Sequence, residues 1–380
     1  MSGVFVVTFS KASVSVTMSS SVLVVGAGLA GACAASVLCR THDVTVLEAG
    51  RPACGASGAA AGLANPFMAR KANPAWRYAE ALDALHRLLA EANATTLFRH
   101  QGVLRPASSE KQAGFFRETA MAFPTDTVWW SHEAVRERHP EIEAPHGALW
   151  LPGGGSVELP AMVETLLTTA GQRGASLRTG TRVTDWGDDA PGAFVRTGTG
   201  ERLVADHVIL CLGGGFVGHP SLAALGLHRV KGQTIRVRRP ERLSSHRLAA
   251  LPALSAGGYI IPAPTTNELV LGSSFEHAFS SLRPSPDITK LIAARAARTL
   301  PVLAQATVTS ETAGVRVTRQ GARKPLLGPV PGFERVWTYT ALGAKGLLSA
   351  PLLALDLPVF LRDADTIPLA VSTLALDYSY

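Results

Sequence analysis

The chain has 380 residues, 47% hydrophobic and 17% charged, which suits a globular protein with a large core, in two domains or one elaborated one. Its formal net charge is +7, but there is no lysine/arginine block and no RNA-binding signature, so charge alone does not make it a nucleic-acid binder. The cysteines at 33, 39, 54 and 211 form no CxxC and no zinc-spaced set with histidine. They read as buried thiols in a reducing compartment, and no metal is expected.

Residues 1–20 are rich in Ser, Val and Thr, with Lys11 and no acid. Three readings stay open: an organelle transit segment, a disordered leader, or an over-long start with Met18 as initiator. The expected compartment is the cytoplasm, or an organelle matrix or stroma if the leader is a transit peptide.

The stretch 21–50 organises the rest of the chain. An apolar strand over 22–25 meets the turn Gly26-Ala27-Gly28-Leu29-Ala30-Gly31. Small residues continue as a helix to Leu38, and a second apolar strand over 44–47 ends on Glu48. Strand, glycine turn, helix, strand and acid in this order are a dinucleotide fingerprint. Gly26 permits the sharp exit from the strand, Gly28 the approach of a pyrophosphate, and Gly31 close helix–sheet packing. The helix N-terminus offers free N–H groups and a positive dipole end, and Glu48 can accept from a ribose hydroxyl pair. Residues 21–38 are uncharged and reach membrane-spanning length, but the glycines and the acid-terminated strand argue against a transmembrane helix, so no stable membrane insertion is expected.

Residues 51–63 are a glycine- and alanine-rich loop with no strong helix or strand preference, in which Ser57 can offer a hydroxyl to a phosphate. An amphipathic helix is predicted over 74–92, a strand over 98–106, a helix over 110–121, a strand over 147–151 and a helix over 159–173 with proline in its first turn. Strands are expected over 175–185, 193–196 and 204–212; the last is apolar on both faces from His207 and belongs inside a parallel sheet. From Gly232 the pattern turns antiparallel, with strands at 234–237, 258–262 and 268–272. A helix over 287–300 has Asp287 as N-cap, strands cover 307–317 and 336–341, and the turn Gly343-Ala344-Lys345-Gly346 leads into a helix from Leu347. The expected organisation is a discontinuous domain from 21–71, 151–219 and 313–380, with 72–150 and 220–312 inserted as a second domain.

Four separated places, VVGAGLAG with Glu48, GASGAAAGLANP (55–66), VILCLGG (208–214) and AGVRVTRQGARKPLLGPVPG (313–332) followed by TYTALGAKGLLSAP (338–351), resemble the FAD-dependent D-amino-acid-oxidase-like superfamily that holds glycine and sarcosine oxidases. Within it, the stretches at 56–74, 149–162, 230–234 and 268–276 look most like the oxidase half of the bifunctional enzyme that makes methylaminomethyl-thiouridine in tRNA. The sequence departs from that pattern in three ways. About 20 residues precede the flavin motif, so no methyltransferase half is expected; Arg323-Lys324 replaces a frequent acid; and the tail after Leu355 matches poorly.

The resemblance implies an α/β fold, a Rossmann-type FAD-binding domain with an inserted antiparallel α+β substrate domain, as in glycine oxidase. It implies FAD as cofactor, held by Gly26, Gly28, Leu29, Ala30, Gly31, Glu48, Ala49, Ser57, Gly58, Gly62, Leu63, Val183, Gly213, Gly343, Ala344, Lys345, Gly346 and Leu347. Arg316 matches the arginine that holds a substrate carboxylate, a task its two parallel N–H donors suit; the alternative is a surface strand arginine. Tyr259 matches a site tyrosine, or is a core residue. Lys345 stabilises charge on the flavin, or is a solvated loop lysine. Cys54 is a spectator thiol or a covalent flavin anchor. The implied partner is a carboxylate-bearing amine whose C–N bond is oxidised by hydride transfer to flavin. It is either the carboxymethylaminomethyl-uridine of tRNA or free glycine, sarcosine or a D-amino acid. A flavin-binding scaffold without turnover is the alternative of another class. Nothing in the sequence sets the oligomeric state.

Overall fold

A computed structural model describes residues 20–378 except 264 and 322, so nearly all of the 1–20 leader lies outside the described residues. A six-stranded sheet runs in the order Ser176–Arg178, Asp43–Leu47, Ser21–Val25, His207–Leu210, Val336–Thr340 and Leu326–Pro329, with only the last strand antiparallel. Val24 pairs with Val46 on one side and Ile209 on the other. Strands flanked this way are covered on both faces, which is why they are apolar throughout.

Helix Leu29–Leu38 is buried along its whole length. Alanine, glycine and cysteine dominate it, so neighbours approach closely: it packs against Leu159–Gln172 and Gly346–Phe360. A Cβ on Gly31 would lie 1.9 Å from the Gly26 carbonyl oxygen, so helix and turn touch backbone to backbone. The other face of the sheet is covered by a meander of Val183–Asp189, Gly192–Thr197 and Arg202–Ala205. The segment Gly343–Phe360 is long and apolar enough to cross a membrane; it packs here as a core helix against Leu29–Leu38 and Tyr78–Glu91.

An eight-stranded sheet forms the second layer, in the order Val308–Arg319, Leu227–Arg238, Glu268–Gly272, Tyr259–Ala263, Ala253–Ser255, Val103–Pro106, Ala148–Leu151 and Val128–Trp130. It is antiparallel except where Ala253–Ser255 meets Val103–Pro106. Helix Pro286–Thr299 packs against it through Ile292 and Ala296.

The structure corrects several sequence expectations. Helix Tyr78–Glu91, within the 72–150 stretch, turns Ala81, Leu85, Leu88 and Leu89 into the same core cluster as Leu29–Leu38. The boundary at 313 falls inside Val308–Arg319, which pairs along its length with Leu227–Arg238. The 98–106 strand breaks at Gly102, which has φ +67° and gives its side-chain space to the Trp150 ring. The 204–212 strand breaks at Asp206, whose carboxylate accepts from the Ser21 N–H at 2.7 Å and so pins the start of the first strand. The 175–185 strand also divides, its halves entering different sheets. Residues 56–59 of the glycine-rich loop form one helical turn. Asp287 lies inside the first turn of its helix: Pro286 takes the position where its missing N–H costs nothing, and Ser285 is the cap.

Two of the three fingerprint glycines, Gly31 and Gly28, are expected to differ in the stability they control. Gly31→Ala must displace backbone and should lower unfolding stability by about 1–3 kcal/mol. A Cβ on Gly28 meets only Ser57 Oγ, at 3.4 Å, and Gly28→Ala should cost under about 1 kcal/mol, the order of a single tolerated core change. Urea midpoints of the two variants check this; equal midpoints would contradict it.

Candidate active site

A cleft of about 1140 Å³ starts at the carboxyl ends of the parallel strands and reaches the eight-stranded sheet. Its lining residues directly succeed strand ends: Gly26, Glu48, Cys211 to Gly214 and Ala341. Parallel sheets with helices on their faces leave ligands this crevice, beyond the strand carboxyl ends. The volume exceeds the roughly 300–1,000 Å³ of a site for one drug-sized ligand, leaving room for an extended dinucleotide and a second molecule.

At one end Glu48 is 9% exposed. Its Oε2 accepts from the Ala27 N–H and its Oε1 from the Gly50 N–H, both at 2.8 Å. These bonds fix the carboxylate at the cleft wall and leave Oε2 with capacity for a further donor. Ser57 Oγ accepts from the Leu29 N–H at 2.9 Å, which brings the glycine-rich loop over the helix N-terminus. The Cys54 thiol lies at this same end, donating to Glu48 Oε1 across 3.7 Å.

At the other end Arg316 rises from Val308–Arg319. Gly232 on the paired strand makes room for it: a Cβ there would sit 2.0 Å from Nη2. Nη2 donates to Ser273 Oγ at 2.6 Å and to the Ser274 carbonyl at 3.0 Å, and the guanidinium lies 4.3 Å from the Phe275 ring centre. Nη1 is buried without a partner. Burial lowers the pKa of Arg316, opposed by Tyr259. The Tyr259 hydroxyl is 2.7 Å from Thr234 Oγ1; burial raises its pKa, with the Thr234 bond and Arg316 pulling the other way. Arg105, 6% exposed, also lines the cleft. It donates to the carbonyls of Phe67 and Ala69, lies over the Phe116 ring, and burial lowers its pKa to about 10.

Of the residues singled out from the sequence, Gly26, Gly28, Leu29, Ala30, Glu48, Ser57, Gly62, Leu63, Gly213, Gly343, Ala344, Gly346, Leu347, Tyr259 and Arg316 all line this one cleft. Five do not line it. Gly31 and Gly58 are packing glycines, the latter because a Cβ would lie 2.2 Å from the Ala53 carbonyl oxygen. Ala49 comes directly after Glu48 but is not part of the wall, and Val183 starts a strand of the meander. Lys345 is also absent from the wall; burial and the charges of Arg323 and Lys324 lower its pKa. Sequence reasoning missed Thr234, Ser273, Arg105 and Arg295, which also line the cleft. Thr234 and Ser273 had a signal, since they lie in the resembling stretches 230–234 and 268–276; Arg105 and Arg295 had none.

The residues present fit FAD: a carboxylate held at the ribose position, free space at Gly28, and a turn at 343–347 facing the far end of the cleft. Glu48→Ala orphans two N–H groups at the cleft and should weaken FAD binding by about tenfold or more, from the roughly 1–3 kcal/mol cost of unsatisfied buried donors. Fluorescence titration of apoprotein with FAD measures this, and an affinity within twofold of wild type would contradict the role.

Residues 21–357 match the family model DAO, FAD dependent oxidoreductase. Glycine oxidase of Geobacillus kaustophilus is 28% identical over 354 residues, covering 88% of this chain and 90% of that protein. The bifunctional tRNA 5-methylaminomethyl-2-thiouridine biosynthesis protein MnmC of Idiomarina loihiensis is also 28% identical, over 88% of this chain; the chain spans 54% of that protein. The crystal structure of Geobacillus kaustophilus glycine oxidase superimposes with a TM-score of 0.77 over 90% of this chain and 95% of that one, at 24% identity. The chain belongs to the DAO family of FAD-dependent oxidoreductases.

Proposed function

We propose that this enzyme oxidises the C–N bond of a primary or secondary amine that carries a carboxylate on the oxidised carbon. The observation that carries this reading is Arg316, a half-buried guanidinium in the cleft wall whose Nη1 is buried without a partner and which has no ion pair among the described residues. A cation withdrawn from water without an anion is costly, and a substrate carboxylate meeting its N–H donors relieves that cost.

Held along the cleft by Gly26, Gly28, Glu48 and the turn at 343–347, FAD would supply the two-electron oxidising power. The protein binds and orients. Arg316 fixes the carboxylate, which limits where the adjacent C–H can point. Tyr259, with its ionisation pushed upward by burial, stays a phenol and can donate a second hydrogen bond to the same carboxylate. The amine loses a hydride and a proton, and water splits the resulting imine into an amine and an oxo acid.

Two substrates fit this chemistry. The carboxymethylaminomethyl group of tRNA wobble uridine is supported by exposed Arg70 and Arg298 at the cleft wall, where they can meet phosphates. Free glycine or sarcosine is supported by the likeness to glycine oxidase over nearly the whole of both chains. Peroxide assays with glycine, sarcosine and D-alanine, beside nucleoside analysis of treated tRNA, separate them. Anaerobic bleaching of the flavin band by any such amine excludes a scaffold without turnover.

Arg316→Lys should keep the flavin spectrum while kcat/KM falls about a hundredfold, the scale of losing a buried charge-paired contact. Unchanged kinetics would remove the carboxylate clamp. Tyr259→Phe should raise KM about tenfold, the scale of one hydrogen bond to a charged group. Its kcat/KM profile below pH 10 should match wild type, because the phenol does not ionise there; a new transition in that range would contradict this.

A further inference from the structure

The wall that holds Arg316 holds a second cation. Arg295, on helix Pro286–Thr299, donates from Nη1 to the Gly257 carbonyl at 2.9 Å and to the Ser273 carbonyl at 3.4 Å. Arg316 binds the side-chain oxygen of the same Ser273. The two guanidinium groups therefore grip one residue, from a helix on one side and a strand on the other. Gly258 lies against the Gly272 carbonyl, where a Cβ would come within 2.5 Å of the oxygen, and the Arg295 Cδ packs over it at ordinary contact distance. Both arginines line the cleft, with Tyr259 beside them.

Neither arginine forms an ion pair among the described residues; their acceptors are neutral carbonyls and one hydroxyl. Arg298, one turn further along the helix, lines the cleft and is also without an ion pair among the described residues. The acid in this part of the wall is Glu143, whose N–H is bonded to the Thr299 carbonyl. Each guanidinium has five donors, so both have capacity left after their protein contacts. A substrate with one carboxylate answers one of these charges and leaves the other facing the cleft.

We propose that Arg295 forms a second anion subsite, and that the substrate carries two acidic groups: the carboxylate next to the oxidised carbon, on Arg316, and a further carboxylate or phosphate, on Arg295. This rests on the amine-oxidase reading for the role of Arg316. It narrows the substrate class to dianionic amines, such as an N-carboxymethyl amino acid or a carboxymethylamine attached to a phosphate-bearing molecule.

The test is calorimetric titration of the FAD-loaded protein with three non-oxidisable probes of similar length: butyrate, succinate and 3-phosphonopropionate. Either dianion should bind at least tenfold more tightly than butyrate. The stronger of the two identifies the second group as carboxylate or phosphate. In Arg295→Gln, which can still donate to the two carbonyls, the dianion-to-butyrate ratio should fall to within about twofold. Equal affinities in wild type would overturn the proposal. So would an Arg295→Gln variant that weakens butyrate and dianion by the same factor, the signature of a merely structural arginine. These results are separable from the amine reading: selective dianion binding with no flavin reduction by any amine sinks that reading alone. Turnover of amines with no dianion preference sinks this one alone.

Discussion

The contact between Gly31 and the Gly26 carbonyl sets the geometry of the molecule. With no side chain between them, the buried helix Leu29–Leu38 sits directly on the turn that leaves the first strand. That closeness aims the helix N-terminus along the crevice at the strand carboxyl ends, where the free N–H groups and the dipole favour an anion. It also determines what can pack behind. Leu159–Gln172 and Gly346–Phe360 close around Leu29–Leu38, and they can do so because it is built from small residues; Tyr78–Glu91 packs in turn on Gly346–Phe360. The cleft inherits its floor from this arrangement.

The opposite wall is governed by charge. Arg316 and Arg295 are held by neutral acceptors, and the segment that supplies them, 273–276, is itself tied down from below. Lys231, almost fully buried, donates to Glu276 at 3.2 Å and to the Arg283 carbonyl at 3.0 Å. Gln233, fully buried, satisfies both ends of its amide with Ser285 and Thr289. Ser274 bonds Glu276 and the Gln233 N–H. Satisfied networks of this kind specify one arrangement. The contrast with the open donors of Arg316 marks where the protein is complete and where it needs a ligand.

The dinucleotide half was legible because its chemistry is local. Turn, helix and Glu48 lie within 28 residues, and the spacing of the glycines is itself the signal, although Gly26 packs against the Cys211 carbonyl far along the chain. Arg316 was legible only through resemblance, since GVRV says that the residue is flanked by apolar neighbours but not what it faces. Arg295 was not legible at all. Its partners, Gly257 and Ser273, come from two other places in the chain, and on its own helix it is one polar residue among several. Strand ends were misjudged for the same reason. Asp206 ends its strand because of a bond to Ser21, 185 residues away, and Gly102 because of the Trp150 ring. The packing of Tyr78–Glu91 depends on which helix its apolar stripe meets, and amphipathicity alone does not contain that.

Gly314 has a consequence of its own. A Cβ there would lie 2.9 Å from both the Ala56 Cα and the Ala59 Cβ, so the one-turn helix of the nucleotide loop rests against the strand that bears Arg316, two residues away. Any side chain larger than hydrogen at 314 would therefore pry the nucleotide loop off the Arg316 strand, so one missing methyl group lets the two ends of the cleft share a wall.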